Sequence, residues 1–566
     1  MPVERVGSGI SHCRPGTPAS SVTSLADIPQ GAAAAEVSGE ICDAPGIRRE
    51  CALEPEADAS RVLLAAWQQR PADCLRRLSG DFAFVLRTDG AAAWLGRDPC
   101  SLRGLYWCRS AGGGVASDFE LKRLLNRSGA PPRIWRQSLH EYLRLGDISA
   151  PHTFVEGVHA VEAGEILRVS AAGVQALAWP RDEEGTRPAA SFEAAVDMLD
   201  ERLTRSIHRH LSGSDRPAAF LSAGIDSALI CALAARLIPN AVALTVGFDD
   251  PGLDEAPVAA QIAAHLSLRH EVLRFGRSEY LAAFDRLAQG MDQPMADPAS
   301  MATLLAFEQC RERFDVMLEG TGADEAVGAM PPRHVRLAVG VGSRVPAVLR
   351  RRLVRTMARV PALAGYTPIL DFEHPAEPLM RWRGFTRAEI EELCGEPVSL
   401  ADTTFYRTFA RFARGDHYAR YSALYGVMPG DRLTQAMRLT GACVRFPYCA
   451  RDVDAFLRQL PSDWRWLPGQ PKRILGELLA RHVPRAIWDG PKRGFTFPLH
   501  DFLAGDDWML VRRHVLDGGW LHRGVLRPDV VRRYAQQYIG GDRRLLFRVW
   551  ALVVLGAWLE QHPELG

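Results

Sequence analysis

Lysine is almost missing from this chain. Of 68 basic residues only three are lysine, Lys122, Lys472 and Lys492. An arginine bias of this kind suggests a GC-rich genome. Where lysine is scarce, a retained one either has a task that arginine performs poorly, such as placing a compact point charge on a phosphate, or survives by chance on the surface. A large charge of either sign is also missing. The formal net charge of +1 excludes bulk electrostatic attraction to nucleic acid or to an acidic partner. Long apolar runs are absent: Val549 to Leu559 is too short to span a bilayer and follows Arg548, so it reads as a buried terminal helix and no membrane partner is expected. The 11 cysteines are scattered and form no Cys-x-x-Cys pair, which argues for reduced thiols over a disulfide framework or zinc site. The first 40 residues have no basic start followed by an apolar core. A secretion signal is therefore not expected, and a cytoplasmic chain is.

What is present points to two domains. The length of 566 residues exceeds what one core fills, and the apolar share of 47% is ordinary for a globular chain. Residues 1 to about 40 are rich in Gly, Pro, Ser and Ala and read as loop-like. Short strand-like runs follow: Phe82 to Leu86, Ala92 to Gly96, Gly104 to Cys108, Glu165 to Val169 and Val174 to Ala178. The charged, turn-rich stretch Pro180 to Pro188 reads as a linker, dividing the chain into residues 1–185 and 190–566. Beyond it strands and helices alternate: strand 218–221, helix 227–238, strand Val242 to Phe248, helix Glu255 to His265, strand Glu271 to Phe275 and strand Phe314 to Leu318. That order predicts a parallel, doubly wound sheet with its site at the carboxyl edge. After about residue 330 the chain reads as mostly helical.

Three motifs carry chemistry. In Ala219-Phe220-Leu221-Ser222-Ala223-Gly224-Ile225-Asp226-Ser227 a buried strand gives way to a small-residue turn and a helix start. Backbone N–H groups and the helix dipole favour an anion there, two serines add donors, and Asp226 offers a magnesium ligand. Taken alone, the run also fits an ordinary strand-to-helix turn. It lacks the Gly-Lys-Ser/Thr ending of a Walker loop and resembles the Ser-Gly-Gly-x-Asp-Ser loop of ATP pyrophosphatases. Ala223 replaces one glycine, so that position should not need a positive φ. The second motif, Leu318-Glu319-Gly320-Thr321-Gly322-Ala323-Asp324-Glu325, again sets glycines and carboxylates after a strand. Two parallel strands would bring Asp226 and Asp324 to one edge, as a magnesium-dependent adenylation requires; taken alone, Asp324 and Glu325 also fit the acidic first turn of a helix. The third is Pro491-Lys492-Arg493-Gly494, with Lys472-Arg473 upstream. A lysine there could neutralise charge developing on pyrophosphate.

Together the three look like the synthetase domain of class B asparagine synthetase and its relatives: β-lactam synthetase, carbapenam synthetase and lasso peptide cyclase. The resemblance covers nearly the whole chain. Gly80-Asp81-Phe82-Ala83-Phe84, Arg97-Asp98-Pro99, Ala116-Ser117-Asp118 and Thr153-Phe154-Val155-Glu156-Gly157-Val158 match the amino-terminal glutaminase-like domain. Gln293-Pro294-Met295-Ala296-Asp297-Pro298 and Arg445-Phe446-Pro447-Tyr448 match the synthetase half. The resemblance implies an α/β chain: an Ntn-type α+β domain, then a doubly wound ATP-pyrophosphatase domain with a helical C-terminal part. It implies ATP and Mg2+ as cofactors. The backbone of Leu221, with Val246 and Gly320, would hold the adenosine end. Ser222, Gly224, Asp226 and Ser227 would cradle pyrophosphate, and Ile225, Glu319 and Lys472 complete the expected ATP- and pyrophosphate-binding set. Asp226 and Asp324 would carry the metal, and Lys492 would stabilise the transition state.

Departures from the family pattern choose among its members. Pro2 follows Met1, the nearest cysteine is Cys13, and the glutamine-binding Asn-Gly-Glu run is missing. A first domain without its nucleophile is expected, and with it no glutaminase chemistry. Cys443 stands where β-lactam synthetase has the glutamate of its base dyad, and Ala450 replaces an aspartate. That favours an amine needing little help, such as a peptide α-amine, and hence lasso peptide cyclase. The resemblance then implies as partners a precursor peptide, a leader-recognition protein and a leader peptidase. A β-lactam-type or other small-molecule amide synthetase, an asparagine synthetase-like protein without glutaminase activity, and a silent peptide-binding member are the alternatives. Trp382, Phe385, Phe405, Tyr406 and Tyr418 are the expected wall of a peptide site, with helical core as their other reading. The arginine-rich run Arg344 to Arg359 reads as a solvated helix face or a peptide-holding surface.

Overall fold

The computed structural model describes residues 32–565, apart from 71–73, 77, 79, 89–92, 101, 110–114, 129–131, 171–172, 180–188, 239–240, 329, 332, 358–359, 361–369, 371, 373, 378–383, 401–402, 412–416, 426–431 and 491–496. The expected linker, Trp382 and Lys492 lie outside these residues.

The amino-terminal half is built on antiparallel sheets. One has the order β1-β2-β3-β7-β8, from β1 (Ala32–Ile41), β2 (Gly80–Thr88), β3 (Ala93–Arg97), β7 (Glu165–Ser170) and β8 (Gly173–Ala178). The other is β5-β4-β6, from β4 (Tyr106–Arg109), β5 (Val115–Asp118) and β6 (Val158–Ala160). Alternation along β2 explains the layering. Phe82, Phe84 and Leu86 pack with Val62, Leu63 and Trp67 of the helix Ala59–Gln69, while Ala83 and Val85 face a core shared with Leu105 and Trp107. Strand β1 corrects the loop-like reading of residues 32–40. It pairs with β2 along its length, from Ala32 opposite Thr88 to Ile41 opposite Gly80. Its run of alanines carries little strand propensity, so pairing supplies what propensity does not.

The second half holds a five-stranded sheet, ordered β11-β10-β9-β12-β13 and parallel throughout, as its alternating pattern predicts. Its strands are β9 (Pro217–Phe220), β10 (Val242–Val246), β11 (Arg269–Leu273), β12 (Val316–Leu318) and β13 (Val444–Arg445). The chain winds from β9 outward to β11 and then crosses back to the other side of β9. The switch of direction therefore falls between β9 and β12, where loops part and leave a crevice. Both faces are covered. Ala218, Leu244 and Met317 join one core, while their neighbours Ala219, Ala243, Val316 and Leu318 join the other.

The two halves share a core. Tyr142, on the helix Arg136–Leu145, donates to Ala551 O at 2.8 Å, and Phe154 meets Trp558 edge-to-face at 5.1 Å. Ala551 and Trp558 belong to the terminal helix Leu546–Glu560, whose residues from Val549 to Leu559 are buried as the sequence indicates. No described helix is long and apolar enough to cross a membrane.

Candidate nucleotide and acyl-transfer site

The loop after β9 folds through its two serines. Ser227 Oγ accepts from Ser222 N at 3.0 Å and lies 2.8 Å from Ser222 Oγ, which in turn accepts from Gly224 N at 3.1 Å. Gly224 is the N-cap of the helix Ile225–Leu237, so the positive end of that helix opens onto the loop. Ala223 is not among the residues with positive φ, as the missing glycine requires. The side chain of Ile225 packs against the apolar core beneath the loop.

Close approach of the second motif comes from an absent side chain. A Cβ at Gly320 would lie 3.2 Å from both Asp226 Cβ and Ser227 N. Gly322 takes φ +99 and starts the helix Ala323–Val327, whose Glu325 accepts from Gly322 N at 2.8 Å. Burial and the adjacent Asp324 raise the Glu325 pKa, only partly opposed by backbone donors and Lys472. Glu319 folds back on its own loop, accepting from Thr321 N at 2.6 Å.

Lys472 joins the two motifs. Its Nζ bonds Asp226 Oδ2 and reaches Asp324 Oδ1 at 2.7 Å. The residue precedes the helix Arg473–Ala480 with φ 53, a left-handed conformation uncommon for a side chain of this size. Burial opposes the ammonium, but the carboxylates of Asp226 and Asp324 outweigh it and raise the pKa above the usual lysine range. The buried Tyr448 supports the arrangement from below, donating to Asp226 O at 3.2 Å. The donor set fits a magnesium ion: two hard carboxylates already converge on one cation, the lysine ammonium.

A cavity of about 590 Å³ opens from these loops toward the amino-terminal half. Leu221, Ser222, Asp226, Ser227, Val246, Glu319, Gly320 and Asp324 line it, and Gly224, Ile225 and Lys472 lie outside the lining. Of the aromatic wall, Phe405 lines it, while Phe385, Tyr406 and Tyr418 are buried outside the lining. Cys443 is exposed and contributes nothing to it. Sequence reasoning missed Thr245, which donates from Oγ1 to Leu221 O at 2.7 Å and so fixes the first loop's entry. It also missed Arg458, held by Asp454 at 2.8 Å, and, in the amino-terminal half, Asp147, His152 and Glu162. Gln293 and Asp297, quoted above only for their motif, line the cavity too. Among the described residues, nine carboxylates and three arginines line it. The arginines are engaged: Arg97 donates to Val161 O at 2.7 Å, Arg458 pairs with Asp454, and Arg432 lies 3.5 Å from Asp297.

Comparison with known proteins agrees with this geometry. The asparagine synthase profile matches residues 198–560, and that of a glutamine amidotransferase domain matches residues 30–180. The chain belongs to the asparagine synthase family. Members of the asparagine synthase family are ATP-dependent carbon–nitrogen ligases that release AMP and pyrophosphate. The chain is similar to a Mycobacterium tuberculosis protein provisionally named a glutamine-hydrolysing asparagine synthetase, at 27% identity over 88% of this chain and 79% of that one. It is similar to asparagine synthetase 1 of Bacillus subtilis, at 22% identity over 88% and 80%. Carboxyethyl-arginine β-lactam synthase of Streptomyces clavuligerus is 27% identical over 56% of this chain and 57% of its own.

Proposed function

We propose that this member of the asparagine synthase family is a macrolactam-forming ligase of the lasso peptide type. It would activate an Asp or Glu side chain of a precursor peptide as its adenylate. The peptide's N-terminal amine would then attack. The observation that carries this reading is the position of the cavity: about 590 Å³, running from the nucleotide loops to the wall of the amino-terminal half. ATP and the activated carboxylate would fill its nucleotide end, and its extension to the amino-terminal wall supports entry of an attacking amine from a larger substrate. The missing Asn-Gly-Glu run supports a first domain that serves as scaffold without glutamine hydrolysis.

In this mechanism the serine loop and the helix dipole after Gly224 receive the β- and γ-phosphates. Asp226 and Asp324 would hold magnesium, which screens phosphate charge when bound with ATP. Lys472, released from the two carboxylates as the nucleotide enters, would pair with phosphate oxygens. Lys492 would act on the departing pyrophosphate. A precursor peptide is the proposed substrate, with a leader-recognition protein and a leader peptidase as partners and the cytoplasm as the site of action.

The test is to incubate the purified protein with ATP, magnesium and synthetic linear peptides carrying a free N-terminus and an internal Asp or Glu. Release of AMP and pyrophosphate, with a product one water lighter and blocked at its N-terminus, is expected. ADP and phosphate, or turnover of free amino-acid derivatives with every peptide left linear, would overturn the reading. Hydrolysis of glutamine by the same preparation would overturn the scaffold role of the first domain.

A further inference from the structure

Cys443, at the position of the family's base glutamate, lies outside the cavity, and a proton acceptor lines it elsewhere. In the amino-terminal half, Glu141 and His152 form a carboxylate–imidazole pair. Glu141 belongs to the helix Arg136–Leu145 and is fully buried. Its Oε2 lies 2.9 Å from His152 Nδ1, and its Oε1 accepts from Ser149 N at 3.0 Å. The imidazole is fixed a second time by Trp135, whose ring meets it edge-on at 4.8 Å. His152 lines the same cavity as Asp226 and Asp324. Its Nε2 makes no hydrogen bond among the described residues and is not buried. A carboxylate that holds Nδ1–H in place sets the tautomer that leaves Nε2 with its lone pair. The loop carrying the imidazole is tied to the synthetase half: Gly146 O accepts from Ala296 N at 2.7 Å and Ala150 O from Thr404 Oγ1 at 2.9 Å. Its position relative to the nucleotide loops is thus fixed by the fold.

We propose that His152, oriented by Glu141, is the base that takes the proton from the attacking amine. The inference rests on the adenylating reading given above. The amine nitrogen adds to the acyl carbon of the adenylate, forming the carbon–nitrogen bond. The bond from that carbon to the AMP oxygen breaks, and its electron pair leaves with AMP. The proton shed by nitrogen passes to His152 Nε2, giving an imidazolium whose charge faces Glu141, and water then carries it away. The pair corrects the expectation drawn from Cys443 that the amine needs little help: a peptide amine is mostly protonated near neutral pH, and its nitrogen gains positive charge as it bonds.

The experiment separates the half-reactions. His152→Gln and Glu141→Gln are compared with the wild type in three assays using the same linear peptides: ATP–pyrophosphate exchange, hydroxamate formation with hydroxylamine, and macrolactam formation. Hydroxylamine is neutral at pH 7 and needs no base to become nucleophilic. His152→Gln should keep exchange and hydroxamate formation within about threefold of the wild type, and lose about 10²–10⁴-fold in macrolactam formation. Glu141→Gln should lose less, because the imidazole remains. Macrolactam formation near the wild-type rate in His152→Gln would overturn the proposal. So would a parallel fall in all three assays, which marks a purely structural role. If the wild type catalyses no exchange with any peptide, the adenylating reading itself fails, and the base falls with it.

Discussion

At the scale of single residues, the site is organised by charge held in common. Lys472 sits between Asp226 and Asp324, so each carboxylate is kept near the other by a cation it does not own alone. Lys472→Met should therefore lower the melting temperature measured in EDTA, by a few degrees. Millimolar magnesium should restore it, because two unscreened carboxylates at one point recruit a divalent ion. A destabilised variant indifferent to magnesium would show that the carboxylates do not form a shared cation site. Asp226→Asn and Asp324→Asn should leave circular dichroism unchanged and cut pyrophosphate release by at least about 10²-fold. Lys492→Arg keeps charge but replaces a compact ammonium by a planar fork, and a similar loss is expected in the same assay. Normal turnover in that variant would mean that charge alone suffices there.

Elements show where sequence reasoning succeeds and where it stops. The strand at 218–221, the helix at 227–238 and the strand from Val242 emerge as Pro217–Phe220, Ile225–Leu237 and Val242–Val246. Each is an apolar run with a clear period, bounded by small or turn-forming residues. Strand β1 was illegible because alanine and glycine reveal no preference until β2 lies beside them. Strand β13 has two residues and exists only through its pairing with β12. Within the site, Asp226 and Asp324 could be paired from sequence, because a parallel sheet brings successive strand ends to one edge. His152 and Asp147 could not, since the wall they form arises from docking the two halves. Gly322 is the element-scale weak point. A Cβ there would meet Cys449 Sγ at 2.8 Å, and its φ of +99 disfavours any side chain. Gly322→Ala should cost about 1–3 kcal/mol in urea denaturation and shift Asp324 enough to impair turnover. An unchanged midpoint would show that the loop relaxes freely.

Over the whole molecule, acid tests the seam between the halves. His210 closes the helix Phe192–Leu211, and its Nε2 lies 3.4 Å from Cys42 Sγ, just beyond β1. Burial drives its pKa down to about 4, against a weaker pull upward from the Ser206 carbonyl, with Arg445 and Arg209 adding to the decrease. Between about pH 6.5 and 4 the unfolded chain binds a proton that the native state refuses, so stability falls as pH falls. The full effect is roughly 3 kcal/mol, reached near pH 4. Asp98, pushed up to about 8 mainly by burial, acts in the opposite sense over this window, because the native state binds the extra proton. The histidine contribution is therefore read as a difference. His210→Gln should lose less stability than the wild type between pH 6.5 and 4 in urea titrations, and identical slopes would mean that His210 is protonated in the native state.

The shared core has a consequence for how such a chain can evolve. Tyr142 and Phe154 anchor the amino-terminal half to the terminal helix through Ala551 and Trp558. Removing that half would uncover apolar surface on the carboxy-terminal half and strip one wall from its cavity. On the function proposed here, an ancestral catalytic module became dispensable as chemistry while staying indispensable as material. Deletion is then closed to selection, and the free course is to rebuild the inherited wall, residue by residue, around a new substrate.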